Sequence, residues 1–193
     1  MKHGFGSKLI KAVYIPLPAW LLLSTIAGFL AQDYNPIASH VSVMTLQEGP
    51  AHAIANLAAL TTGIALIVFG IGIWMVSRRI FSGGALCWVL FGTAMIGNGI
   101  WPMGGPMHGI YIIGIFNILA PAISLLDIRD EDVRRQMHLL TVLVSLASVF
   151  YLWLLLNGFD PEAYSGLTQR IFGTINYLWP LVFAFTYGRH QPK

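Results

Sequence analysis

Charge is what this chain has least of. Only 10 % of its 193 residues are Asp, Glu, Lys or Arg, against 56 % that are apolar, and the mean hydropathy is +0.69. That balance lies outside the range of water-soluble domains and excludes them. Cysteine is nearly missing: Cys87 stands alone inside an apolar run, so no disulfide framework within the chain is available and the redox compartment stays open. The sequence also lacks low-complexity tracts, charge blocks and Ser/Gly linkers, so one integral membrane domain over 1–193 is expected. A net charge of +3 and a pI near 9.2 do not argue for nucleic acid here. In a membrane protein the basic residues chiefly set topology.

What is present is a set of long apolar runs. A hydrocarbon core of ~30 Å takes roughly 20 helical residues to cross, and six runs qualify, at 12–31, 53–76, 84–101, 107–126, 138–157 and 171–187. All nineteen charged residues lie outside them, as expected when each charge at mid-bilayer costs about 2.5–3.5 kcal/mol. The predicted fold is all-α, a bundle of six transmembrane helices. Ten of the eleven basic residues fall before the first run and after the second, fourth and sixth; Arg170 alone falls on the other side. The positive-inside rule therefore puts both termini in the cytoplasm, in the inner membrane. The first run is too long for the 7–15 residues of a signal-peptide core, which favours an uncleaved anchor.

The connections differ in character. Residues 127–137 read as a solvated turn and helix start, with Asp127, Asp130, Glu131 and Asp132 ahead of Arg134 and Arg135. The segment 32–52 is the longest connection, and it interleaves Ile37, Val41, Val43, Met44 and Leu46 with Ser39, His40, Ser42 and Thr45. That pattern suits a short structured element on or dipping into the outer surface. Gly63, Gly70 and Gly72, and Gly92, Gly97 and Gly99, allow close approach of helices, within the bundle or between subunits. Asn98-x-x-Trp101-Pro102 and Asn176-x-x-Trp179-Pro180 form an internal echo best read as coincidence, since they sit at different depths in their runs.

The six-run layout, the segment Asn35-Pro36-Ile37-Ala38-Ser39-His40, the Trp101-Pro102 corner followed by His108, and Gly166-Leu167-Thr168-Gln169-Arg170 together resemble the domain-of-unknown-function 998 family of bacterial and archaeal multi-pass membrane proteins. The resemblance covers nearly the whole chain and implies a membrane bundle but no activity. Related proteins often carry an acid shortly after the corner proline; here Met103, Gly104 and Gly105 follow, which weighs against acid-dependent chemistry at the corner.

With this topology His40, His52 and His108 share the outer face with Asp33, Glu48, Asp160, Glu162 and Arg170. Asn56, Asn98 and Asn176 lie one or two turns below it, and Asn117 lies deeper. Amides are costly against lipid and turn inward, either as glue between helices or as the lining of an outward-facing pocket with Arg170 at its rim and Trp101 at its corner. Three classes compete for such a pocket. One is binding of a lipid-like or hydrophobic ligand, a membrane partner or a second copy, and it needs the fewest assumptions. Another is a lipid-modifying hydrolase or transferase using His40, His52 and His108 as acid, base or zinc ligands, although no His-x-x-x-His or Cys pair supports zinc. A small transporter ranks third, because no ionisable group lies at mid-depth.

Overall fold

The computed structural model describes residues 2–108 and 114–190, and every regular element among them is helical. Helix α1, Lys2–Ile10, passes through a 3-10 turn at Lys11–Tyr14 into α2, Pro16–Leu30. Pro16 explains the join: it has no N–H to give and its φ suits a first helical turn, so the ladder restarts there. Gly4–Leu30 is thus one apolar stretch of 27 residues, longer at its start than the predicted 12–31. Lys8 and Lys11 do not end it, because a long basic side chain can reach the membrane boundary from within a helix.

Helix α3, Pro50–Ser77, and helix α4, Gly83–Ile100, form an antiparallel hairpin. Arg78 in the left-handed conformation (φ 55°) ends α3, and the Ser82 hydroxyl caps α4 by accepting from the Ala85 N–H at 3.2 Å. A 3-10 turn at Ile115–Ile118 precedes α5, Ala120–Asp127, where Pro121 again restarts the ladder. The predicted run 107–126 is therefore not one helix in its described part, and its residues 109–113 lie outside the described ones. Helix α6, Glu131–Leu156, begins at Asp130, whose carboxylate accepts from the Val133 N–H at 3.0 Å, with Glu131 and Asp132 in the first turn. Helix α7, Ser165–Arg189, keeps Pro180 inside it.

Among the described residues, four helical segments are long and apolar enough to cross a membrane: Gly4–Leu30, Pro50–Ser77, Gly83–Ile100 and Glu131–Leu156. In the last of these only 17 % of the apolar stretch is buried. Leu139, Leu143, Leu146, Val149, Phe150, Trp153 and Leu156 all face outward along α6. A helix so apolar and so little covered is suited to a membrane interior or to an apolar partner surface, not to water.

Helix α1 lies against the end of α3, with Gly6 beside Met75 and Val76, while His190 after α7 meets Gln136 near the start of α6 at 2.9 Å. Both described chain ends thus share a pole with the turn 78–82 and the α5–α6 junction. The opposite pole gathers 31–49, 101–108 and 157–164. Between the poles Trp88 stacks on Trp179 at 5.7 Å, Trp179 on Phe183 at 5.3 Å, and Phe69 meets Trp88 edge-on at 5.4 Å. Both indoles are buried and find an acceptor, Trp88 in Ser124 Oγ at 2.9 Å and Trp179 in Thr141 Oγ1 at 2.8 Å.

The junction at the basic pole departs at Asp127 from the solvated turn its composition suggests, while Arg129, Glu131 and Asp132 are exposed as expected. Asp127 is 6 % exposed, and one of its oxygens accepts from Ser82 Oγ at 2.7 Å and from the Gly84 N–H at 2.9 Å. It therefore caps the start of α4 from α5, a long-range role that local acidity does not reveal.

Candidate functional site

The opposite pole is built from two of the segments singled out in the sequence, strapped to each other. Ser165 Oγ donates to the Ala38 carbonyl at 2.6 Å, the Leu167 N–H to the Ile37 carbonyl at 2.9 Å, and Gln169 Oε1 accepts from the Val41 N–H at 2.7 Å. Arg170 completes the strap, giving its NH1 to the carbonyls of Pro36 at 2.7 Å and Gly166 at 3.0 Å and its NH2 to the Tyr34 hydroxyl at 2.5 Å. Gly166 is required there, because a Cβ would meet the carbonyls of Ser39 and Pro36. Arg170 is thus a clamp on a carbonyl-rich loop and does not line the cavity described below. Replacing it with alanine is expected to cost about 2 kcal/mol and to open 34–41 to protease. Lysine restores little, since one ammonium cannot bridge the same carbonyls and phenol. Thermal unfolding in detergent with limited proteolysis measures both effects; an unchanged digest for R170A contradicts the clamp.

From this strap the chain turns inward as a 3-10 helix, Val41–Leu46, with Met44 fully buried. Thr45 Oγ1 accepts from the Met103 N–H at 2.9 Å, which joins this element to the corner after α4. The two together roof a cavity of ≈ 430 Å³ between α3, α4, α6 and α7. Its polar wall includes Asn98 from α4, Asn117 from the 3-10 turn, Asn176 and Gln169 from α7, and His40 and His108 from the roof. Trp20, Phe91 and Tyr177 supply aromatic surface, with ring centroids 5.7 Å apart for Trp20 and Tyr177 and 6.1 Å for Phe91 and Tyr177. A second cavity of ≈ 600 Å³ shares Phe91, Met95, Asn98, Asn117, Tyr151 and Asn176 with the first. It continues past Ile115 and Leu155 to Leu156, all exposed on the outside of the bundle.

The amides differ in what they already bond. Asn176 Oδ1 accepts from Ser148 Oγ at 2.7 Å. Among the described residues Asn98 Nδ2 reaches only the Met95 sulfur, at 3.6 Å, and its Oδ1 is buried without a partner. A buried orphan carbonyl costs about 1–3 kcal/mol, and this one stands on the wall of both cavities. His108 is 4 % exposed, and its Nδ1–H donates to the Trp101 carbonyl at 2.7 Å. That bond fixes the neutral tautomer with Nε2 as the acceptor.

The remaining candidates, His40 apart, stand elsewhere. His52 Nδ1–H donates to the Thr45 carbonyl at 2.9 Å, and its Nε2 accepts from Asn56 Nδ2 at 2.8 Å. Both ring nitrogens are taken, and neither His52 nor Asn56 lines the cavity. Trp101 contributes its carbonyl to His108 and not a cavity wall. His40 Nε2 lies 3.8 Å from one Asp160 oxygen, and the other is buried without a partner among the described residues. The internal echo does not repeat in space: Trp101 ends α4 at 37 % exposure, whereas Trp179 is wholly buried inside α7. Among the described residues one group of three or more acids and histidines has metal-holding spacing, Asp130, Asp132 and His190 within 4.8 Å at the basic pole, and it includes none of His40, His52 and His108. Asp130 and His190 already have partners there, Val133 and Gln136. Gln169, Ser148 and Tyr151 escape sequence reasoning: Gln169 is visible as part of the Gly166–Arg170 stretch, but the other two sit unmarked inside an apolar run.

No curated protein and no solved structure matches this chain. Residues 15–186 match the family described as "Protein of unknown function (DUF998)", and they include the loop, the corner, the strap and every wall of both cavities. The chain therefore belongs to the domain-of-unknown-function 998 family.

Proposed function

We propose that this protein spans the cytoplasmic membrane six times, with both termini in the cytoplasm, and holds a lipid-like ligand in the paired cavities near its outer face. The shared pole of the chain ends supports the orientation, since Lys8, Lys11, Arg78, Arg79, Arg129, Arg134, Arg135 and Arg189 belong to that pole. Helix α7, 25 residues long, supplies the last span despite the polar residues near its start, and the run 107–126 supplies the fourth. The observation that carries the ligand reading is the Asn98 carbonyl, unpaired among the described residues, on a wall common to both cavities. Volumes of about 300–1,000 Å³ are those of ligand sites. The exposed Ile115, Leu155 and Leu156 give an acyl or isoprenoid chain a lateral way in from the bilayer. A membrane partner or a second copy would pack on the bare outer face of α6.

Native mass spectrometry of protein extracted in mild detergent tests this. The wild type is expected to retain one lipid-sized adduct, and Asn98→Leu with Asn117→Leu to lower its occupancy about fivefold or more. Bare polypeptide mass in every gentle detergent overturns the reading.

The fixed tautomer of His108 favours a second reading, a lipid hydrolase or transferase in which Nε2 acts as general base. On that reading His108→Gln abolishes turnover while the adduct persists.

A further inference from the structure

We infer that the ligand's head group is neutral and bears a hydroxyl: a long-chain alcohol of the diacylglycerol or isoprenoid-alcohol class, and not an anionic lipid. This rests on the lipid-binding reading above and narrows it. No Asp, Glu, Lys or Arg is among the described residues lining either cavity. The cation that would suit a phosphate, Arg170, is spent on the Pro36 and Gly166 carbonyls and the Tyr34 hydroxyl. Of the two roof imidazoles, His40 faces the Asp160 carboxylate at 3.8 Å, so a charge on it is balanced there, and His108 gives its Nδ1–H to the Trp101 carbonyl, so that its neutral ring offers the cavity only the Nε2 lone pair. A phosphate entering such a cavity would be desolvated with nothing of opposite sign to meet it, a cost no neutral amide recovers.

What the wall offers is a mixed set of uncharged partners. Asn98 Oδ1 is a buried acceptor lacking a donor. Asn176 meets the Ser148 hydroxyl, which also reaches the Val144 carbonyl at 2.8 Å, through one end of its amide only, and the Asn117 amide has no partner among the described residues. A hydroxyl gives one donor and accepts through two lone pairs, so it can satisfy Asn98 Oδ1 and take a hydrogen bond from an amide NH₂ at once. The second cavity, apolar apart from those same amides, Ser148 and Tyr151, suits the chain that follows such a head group.

The test is a competition in detergent micelles, read by native mass spectrometry, among three probes of like chain length: dioleoylglycerol, its acetylated derivative lacking the free hydroxyl, and dioleoyl phosphatidic acid. The wild type is expected to bind dioleoylglycerol about tenfold more tightly than either competitor, the size of effect one hydrogen bond to a buried orphan produces. Asn98→Leu is expected to bring dioleoylglycerol down to the level of the acetylated probe, and a cooperative thermal unfolding transition in the same detergent shows that the variant is folded. Phosphatidic acid binding as tightly as dioleoylglycerol, or no loss of preference in Asn98→Leu, overturns the head-group inference and leaves the cavity reading standing. Absence of binding by all three overturns the cavity reading itself.

Discussion

Valine at Gly63 or Gly92 is expected to destabilise the bundle by about 2–3 kcal/mol and to empty the cavities, because it wedges apart two helices whose backbones touch. A Cβ on Gly63 would fall 2.6 Å from the Gly92 carbonyl, and one on Gly92 would fall 2.6 Å from the Gly63 carbonyl. The same seam repeats a heptad away on either side. A Cβ on Gly70 would meet the Ala85 carbonyl at 2.9 Å, and one on Gly99 the Asn56 carbonyl at 2.9 Å. A seven-residue spacing of small side chains is the spacing of a coiled-coil seam and lets backbones touch. Asn98 adjoins Gly99 at the far end of this seam, so separation of α3 from α4 also moves the amide that we assign to the ligand. Because one displacement relieves both collisions, the double variant is expected to lose clearly less than the sum of the two single losses. Thermal unfolding in detergent of the singles and the double measures this; full additivity would show that the two glycines do not share a contact.

Asp127→Ala is expected to cost about 3 kcal/mol, although it lies at the opposite pole from the cavities. Its loss leaves the Ser82 hydroxyl and the Gly84 N–H buried without an acceptor and removes the anion from the start of α4. The Arg79 side chain, which lies 3.7 Å from the carboxylate and donates to the Leu126 carbonyl at 2.9 Å, loses one of its anchors too. Asp127→Asn keeps an acceptor but not the charge, so its stability is expected to fall between those of the alanine variant and the wild type. At roughly 2–4 °C per kcal/mol for a chain of this size, the alanine variant melts several degrees lower. Ligand retention per folded molecule is expected to stay at the wild-type level, which separates this effect from that of Asn98.

Asp127 also marks where sequence reading stops. The apolar runs were legible because hydropathy is local, and so was the inward turn of the amides, since an amide facing lipid is costly wherever it occurs. Whether an acid beside a run is solvated or buried depends on a partner 43 or 45 residues away, here Gly84 and Ser82, and no local pattern names that partner. The same limit applies at the other pole. Arg170 looks like a free cation at a rim until the loop carbonyls of residues 36–39 are seen folded against it. His52 and Asn56, one turn apart, were readable as a mutually satisfied pair because their contact is local. Asn98, Asn117 and Asn176 come from three elements, and their convergence on one wall needed the fold. The glycines announced close packing, but only the structure assigns most of them to the α3–α4 seam and Gly72 to α1, where a Cβ would meet the Ile10 backbone at 2.8 Å.

The most direct measurement of the central idea is an experimental map of the protein in lipid nanodiscs. It is expected to show elongated density entering beside Leu155 and Leu156 and ending in a polar group within hydrogen-bond distance of Asn98 Oδ1. A cavity closed by side chains, with that carbonyl bonded to a neighbour of its own chain, would contradict it.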